Sequence, residues 1–596
     1  ALLTETMPMF AQSKTNRTFT FAKLAKPNSN TLENYRLTLE VATNPIWFAV
    51  QALPELSSPN NNNSIALFGA YFANAMAIDI LQRNPEIKNV FNRWKIADSE
   101  MLKSNLEKNQ DLKSVLLDET PWVLQAETET RQKQNIALYF DENNVRNLQT
   151  DVLTRLQKLQ FSNGGFAWYP GGRTDLWCTQ YIVHGLQKLH RRQIEKNNFE
   201  LQNILQNAIK FCDEQHVEHY SKIKNQKSKI NLSATDIHYL YLRTYFAAEH
   251  PVSPELTQVL HVYDSLSKAT WKNQSRYLQG VLALYFDLKN EQKFAQDIMQ
   301  NFQRLALKSP EFGMWWRYEP SWFWYESPIE TQSQLIETFE KLGRTEDVDA
   351  MKQWLLSQKR TTRWSTPKAS VEAVYALLLN TPNLSENANV EIQIGDEKIS
   401  APTSADAGSG YFTKFWTAEK INPKQAQVII KNQGNSMVWG GLYWQYFENL
   451  DKVTSAATPL SLKKTLFVER MTNRGSTLEP ISEKGLKIGD KVVVRIEIRA
   501  DRNMDYVHLK DLRAAAFEPT EMRSGYRSQD GLFYYQDVKD VSMNFYFSHL
   551  PKGTYVFEYR VNVSQIGDFS NGYTTIQCLY APEFSAQSQG ERVVVN

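Results

Sequence analysis

The hydrophobic period of this chain changes twice, and nothing else in the sequence constrains its fold as much. Over Ala1–Ala42 it is two. Arg17-Thr18-Phe19-Thr20-Phe21 alternates, and Tyr35, Leu37, Leu39 and Val41 share one face while Arg36, Thr38 and Glu40 take the other. Lys26-Pro27-Asn28-Ser29-Asn30 has the composition of a loop between such strands. From Asn44-Pro45 to about Leu379 the period is helical. After Asn380 period two returns, in Val390, Ile392 and Ile394, then in Ala426–Lys431 and Met437–Tyr446. Helix and strand lie in separate blocks, which predicts a multi-domain α plus β chain.

The helical block carries repeated start and stop signals. Asn44-Pro45 suits Ncap and N1, with Trp47, Val50 and Leu53 following at helical spacing. Ser233 with Asp236 reads as a capping box, Ser253-Pro254 opens another helix, and Ser327-Pro328-Ile329-Glu330 combines an Ncap serine, an N1 proline and an N3 glutamate. Leu335, Ile336, Phe339 and Leu342 then form one apolar face, with Gly343 at the expected C′ position. Thr366-Pro367 opens the last helix, with Val371, Val374, Leu377 and Leu378 inward. The loops recur too. Gly164–Gly172, GGFAWYPGG, is echoed by Phe312-Gly313-Met314-Trp315-Trp316 and more weakly by Thr362–Pro367. This is a degenerate repeat of helical hairpins. About a dozen helices with no polar capping repeat at either end favour a closed α/α toroid over an open solenoid.

Leu450–Pro459 reads as a short connector. The block Leu460–Asn596 has alternating Val492, Val494, Ile496 and Ile498, alternating Tyr555 to Val563, and turns at Gly489-Asp490 and Lys552-Gly553, which predict a β-sandwich of about seven strands. At 596 residues the length suits about three or four domains of about 150 residues. With 42% hydrophobic and 12% aromatic residues the chain can bury real cores. A net charge of +2 with 22% charged residues disfavours nucleic acid as a partner. No run of about 18 apolar residues is present, so no membrane span is expected. The opening ALLTETMPMF lacks a basic, apolar leader, as in a mature product or a portion of a longer chain. Cys178, Cys212 and Cys578, without a CxxC, are expected to be core thiols, although one long-range disulfide stays open.

The stretch Thr43–Ala77 resembles the thioester region of the α2-macroglobulin and complement superfamily, bacterial branch. Ala49-Val50-Gln51-Ala52-Leu53-Pro54 and Tyr71-Phe72-Ala73-Asn74-Ala75-Met76-Ala77 match that region's two flanking helices without a gap. Thr4–Pro8, Arg17–Phe21, Tyr35–Glu40, Asn163–Gly172, Trp324–Phe339, Ala373–Leu377 and Tyr580–Phe584 match other family segments in order. In relatives a cysteine condenses with a glutamine three positions on, giving an acyl thioester open to nucleophiles. Here the corresponding positions are Asn63 and Ala66, so the resemblance implies a degenerate, inactive thioester site. It also implies an α/α toroid over residues 43–380, inserted in a β-sandwich domain made of 1–42 and 381–451, and a terminal macroglobulin-type sandwich over 460–596. The expected function is non-enzymatic. The chain would belong to a periplasmic or envelope protease trap without covalent capture and without a cofactor. It would meet proteases through a full-length parent with upstream macroglobulin and bait domains, tethered by a lipidated N-terminus.

Other residues suggest weaker chemistry. His216 and His219 have metal-like spacing near Asp213 and Glu218, but EQHVEHYSKIKNQKSK reads as a solvated face. Trp315, Trp316, Trp322 and Trp324 lie among Glu311, Glu319 and Glu326, as packing or as a ligand platform. The alternatives are therefore a toroidal carbohydrate-active enzyme, which needs two carboxylates in a cleft, or an adhesion module using the sandwich surface. No DxDD, P-loop, G-x-S-x-G or HExxH motif is present.

Overall fold

A computed structural model describes residues 1–27, 29–59, 61–85, 87–89, 91, 136, 138–195, 198–225, 231–310, 313–317, 327–358, 364, 366–379, 389–400, 410–458, 460–473, 475–481, 485–579 and 584–596. Their buried apolar side chains fall into three clusters, one helical and two of β type.

The first β unit is built from strands on both sides of the helical block. β1 (Leu2–Ala11), β2 (Asn16–Thr20) and β3 (Glu33–Ala42) precede it; β4 (Val390–Ile394), β5 (Glu397–Ile399), β6 (Phe412–Thr417), β7 (Gln427–Asn432) and β8 (Val438–Phe447) follow. They form two four-stranded sheets, ordered β1-β8-β3-β6 and β2-β7-β4-β5. β1 pairs with β8 antiparallel from Leu2↔Phe447 to Ala11↔Val438. Leu37, Leu39 and Val41 of one sheet face Ile392, Ile394, Val428 and Ile430 of the other, as their alternation requires.

The helical block contains α1 (Ser64–Arg83), α2 (Glu142–Gln157), α3 (Leu176–Arg191), α4 (Phe199–Asn225), α5 (Ala234–Tyr245), α6 (Pro254–Thr270), α7 (Arg276–Leu288), α8 (Gln292–Leu305), α9 (Pro328–Lys341), α10 (Thr345–Ser357) and α11 (Pro367–Leu378). Among the described residues, α1, α3, α5, α7, α9 and α11 touch in that order, and α11 touches α1, so the inner ring closes. α2, α4, α6, α8 and α10 back the first five inner helices, and the short turns Trp47–Val50 and Leu53–Leu56 back α11. The fold class is therefore the expected one: a multi-domain α plus β chain with a helical middle flanked by β sheets. Asn44-Pro45 opens a helical turn as expected, with Trp47 N donating to Asn44 O, but the segment runs as two four-residue helices, Trp47–Val50 and Leu53–Leu56, with Pro54 in the first turn of the second. α1 is long and apolar enough to cross a membrane, contrary to the reading from composition, and most of it is buried inside the ring.

The recurring loops are structurally equivalent. Phe166–Ala167 pairs with Thr174–Asp175 before α3, and Leu307–Ser309 pairs with Gly313–Trp315 before α9. Gly164 (φ 88°) and Gly313 (φ 75°) each lie against a backbone carbonyl of the outer helix behind them, Asn207 on α4 and Ala350 on α10. A side chain there would collide with that carbonyl as well as strain the backbone.

The C-terminal block is a β-sandwich. A seven-stranded sheet runs Ala456–Ala457, Ser585–Gln587, Thr574–Cys578, Met504–Leu512, Ser542–Leu550, Leu532–Val538, Gly525–Gln529; a five-stranded sheet runs Gly475–Pro480, Leu460–Thr472, Lys491–Ala500, Gly553–Val563, Phe517–Pro519. Ala456–Ala457 lies inside the expected connector yet joins a sheet. Contacts tie the units together. Ser13 bonds Asp349 on α10, the Thr6 hydroxyl bonds Ser585 at 3.0 Å, and half-buried Trp315 packs on the core of the C-terminal sandwich.

Candidate functional site

The inner helices begin at one rim of the ring. The Ser64 hydroxyl at the start of α1 donates to Ala167 O just before α3, and Gln180 near the start of α3 donates to Thr235 O at the start of α5. Polar N-caps mark this rim. Asn63, Asp175, Ser233, Ser275 and Thr366 each accept from a backbone N–H of the following helix, and Ser233 with Asp236 completes a capping box. Ser327 departs from the expectation, because its hydroxyl goes to the Glu330 carboxylate and caps no backbone N–H.

Asn63 and Ala66 are joined by one of these caps: Asn63 Oδ1 accepts from Ala66 N at 2.7 Å. Asn63 Nδ2 donates to Asn61 Oδ1 at 2.8 Å, and the Arg155 guanidinium holds Asn62 Oδ1 from α2. Ser64 is buried and held by Ala167 O and Trp168 O. Deeper in α1, buried Asn74 donates to Ser57 O and accepts from the Tyr139 hydroxyl at 2.8 Å, which fixes the start of the loop. Cys178 lies beside Ser64, and burial pushes its thiol up to about 12, with Asp175 adding to the effect, so it stays protonated at neutral pH. Trp168 stacks on Trp177, and Trp177 on Tyr181, along the same rim.

Below the rim the bore is filled by charge. α3 and α9 stand opposite each other in the ring, and Arg191 reaches across to Glu337. Lys188 pairs with Glu372 on α11 and lies 3.9 Å from Glu337. Lys368 lies 3.5 Å from Glu330. Burial raises the Glu330 carboxyl; burial also opposes ionisation of Glu372, but Lys188 and Lys368 outweigh it and hold that group low. His184 and His238 meet edge to face at 4.5 Å, and burial holds His184 far below the ordinary range and His238 down to about 3. Apart from Glu330, read only as an N3 capping glutamate, none of these groups was singled out from the sequence. The available signal was charge at core-facing spacing, as in His184, Lys188 and Arg191.

The remaining candidates resolve as structure. His216 is not on a solvated face. It is buried, stacks on Tyr239, bonds Gln180 at 3.0 Å and meets Asp236 at 3.3 Å, while His219 is exposed. Trp316 is buried and donates its indole N–H to Phe302 O. Trp322, Trp324, Glu311, Glu319 and Glu326 lie outside the described residues. Cys178, Cys212 and Cys578 are buried. Among the described residues no group of three or more His, Cys, Asp or Glu is placed to hold a metal ion.

The described residues form a closed double ring of helices with β-sandwiches on either side of it in sequence, and comparison with known chains shows what this arrangement is similar to. Residues 460–583 match the family described as the bacterial α2-macroglobulin MG10 domain. An α2-macroglobulin homolog from Nostoc sp. is 23% identical over 496 residues, 76% of this chain and 24% of the relative, so the chain spans about a quarter of that relative's length. Two solved structures from Escherichia coli are covered over the whole of this chain. Native α2-macroglobulin from MG7 to the C-terminus has 11% identity, 82% coverage and a TM-score of 0.35. α2-Macroglobulin activated by porcine elastase has 12%, 46% and 0.44. Residues 460–583 thus match a bacterial α2-macroglobulin domain, and the chain as a whole is similar to bacterial α2-macroglobulins.

Proposed function

We propose that this chain is the non-enzymatic C-terminal part of a protease trap that retains its target without a covalent thioester. The observation that carries this reading is the Asn63–Ala66 pair. A thioester needs a sulfur nucleophile and an acyl carbon at these two places. Asn63 instead spends its amide on capping α1, and Ala66 offers only a methyl group. The thiol beside them, Cys178, is buried and protonated. The bore supports a non-enzymatic reading, since Glu330, Glu337 and Glu372 each sit against a lysine or arginine. Proteases as targets and the cell envelope as the site are part of this proposal, and the similarity to α2-macroglobulins supports the first of them. Capture would then be mechanical, driven by upstream domains of the parent.

Methylamine is the direct test. The full chain incubated with it should keep its intact mass, and a gain of one methylamine overturns the proposal. The chain alone should leave elastase activity unchanged; dose-dependent inhibition counts against a trap that depends on upstream segments. Fractionation of producing cells should find the parent in the envelope.

A further inference from the structure

A second cluster of buried reactive groups lies inside the C-terminal sandwich, away from the ring. Lys464, on the first long strand of the five-stranded sheet, points to Asp511 on the seven-stranded sheet. Their Nζ and Oδ1 atoms are 2.7 Å apart, and the side chains are 1% and 0% exposed. Asp511 is held in place by the Tyr559 hydroxyl on one oxygen and the Thr574 hydroxyl on the other. Lys464 Nζ also meets Leu512 O at 2.7 Å and the backbone oxygen of Asn571 at 3.4 Å. Asn571 is itself fully buried. Its Oδ1 accepts from Ala514 N at 3.2 Å, while its Nδ2 has no partner among the described residues. Gly572 brings this segment in: it has φ 66°, and a Cβ there would lie 2.5 Å from Leu512 Cβ. An ion pair accounts for Lys464 and Asp511. It does not account for the carboxamide of Asn571, a residue that meets Lys464 through its backbone oxygen, whose side-chain oxygen is held and whose nitrogen has no partner among the described residues.

We propose that Lys464 and Asn571 join in a self-catalysed isopeptide bond, with Asp511 as the base. Asp511 takes a proton from the Lys464 ammonium across the 2.7 Å contact. The free amine attacks Cγ of Asn571, and the negative charge that develops on Oδ1 faces the Ala514 N–H. The Cγ–Nδ2 bond then breaks. The departing nitrogen takes the two protons that Lys464 gives up and leaves as ammonium, so charge is conserved and Asp511 returns to a carboxylate. Proximity drives the step, since buried, fixed reactants reach effective molarities of about 10⁵–10⁸ M; the Asp511 carboxylate left behind keeps the hydroxyls of Tyr559 and Thr574. The product is a covalent strut from the five-stranded sheet to Gly567–Gly572, which forms a two-stranded pair with Glu591–Val595.

The test is the intact mass of the full, unfolded chain. The expected mass is below the sequence value by one ammonia, about 17 Da, and a digest should give a branched peptide joining the Lys464 and Asn571 segments. Asp511→Asn and Asn571→Ala should restore the full mass; should either fail to fold, the mass of the unaltered chain still decides. A chain at its sequence mass overturns the proposal. So does a loss carried by a linear Asn571-Gly572 peptide, which is a succinimide, and so does a loss of one water, about 18 Da, with the branch at Asp511.

Discussion

Asn63 is a helix cap and, in the function proposed above, the counterpart of a reactive thiol in relatives, and the two roles predict different things. As a cap it satisfies the Ala66 N–H, so Asn63→Ala should lower stability by about 1 kcal/mol in chemical denaturation; Asn63→Asp should leave it nearly unchanged. As a degenerate thioester position it should be restorable. The pair Asn63→Cys with Ala66→Gln puts thiol and carboxamide three residues apart at the rim, and should make the chain take up one methylamine. Failure of the double variant to react, with the ring intact by circular dichroism, would sever Asn63 and Ala66 from the family's thioester positions. The cap was legible in the sequence as a polar asparagine run directly ahead of an apolar helical segment, and α1 starts right after Asn63. His216 was not legible. Its neighbours in sequence are charged, but it lies on the inward side of α4, where Gln180, Asp236 and Tyr263 meet it from elements far along the chain.

Among the elements, the paired hairpins before α3 and α9 are the clearest case of sequence repetition becoming geometry. Gly313→Ala should be strongly destabilising, since it forces a side chain onto Ala350 O at a positive φ. Gly343→Ala, also at positive φ but with open space around it, should cost less; equal losses would mean that φ strain alone matters. The meeting of α3 and α5 predicts pH dependence. His184 and His238 face each other, with Lys188, Lys368 and Arg191 as neighbouring cations and Glu372 as an anion. Both imidazoles have folded values depressed below the ordinary 6.5, so the unfolded chain binds protons that the ring excludes. Stability should fall as pH drops below about 6.5 and go on falling towards the folded values, about 3 for His238. Thermal melts from pH 7.5 to 4.5 should show this, with a shallower slope in His238→Phe. A local signal sets where a helical turn starts but not how far it runs. Asn44-Pro45 carries a good start signal, yet the segment runs as two four-residue helices. In contrast, Asp530-Gly531, both at positive φ, turn the hairpin between Gly525–Gln529 and Leu532–Val538, and that Asp-Gly signal was available.

At the scale of the whole molecule, cross-bore ion pairs stand where an open toroid would have a channel. Glu337→Ala should cost roughly 3 kcal/mol, because it takes a carboxylate away from half-buried Arg191 and from buried Lys188. Three separate cores predict that unfolding is not all-or-none. Trp315→Ala, which removes an apolar contact between ring and C-terminal sandwich, should separate their thermal transitions; a single unchanged transition would show that this contact does not couple them. Block order was readable because period two and period 3.6 differ over dozens of residues, whereas the bore was hidden because its charges come from α3, α9 and α11, which meet only when the ring closes. The split sandwich has a consequence in time. β1 emerges from the ribosome with no partner until β8 is made, so Leu2 waits for Phe447. At about 5–20 residues per second that wait lasts roughly twenty seconds to a minute and a half. Throughout it, β1–β3 present open strand edges, and closure of the ring between α1 and α11 is what brings the two halves of the sandwich within reach of each other. Birth of the first sandwich is therefore timed by the last helix of the ring.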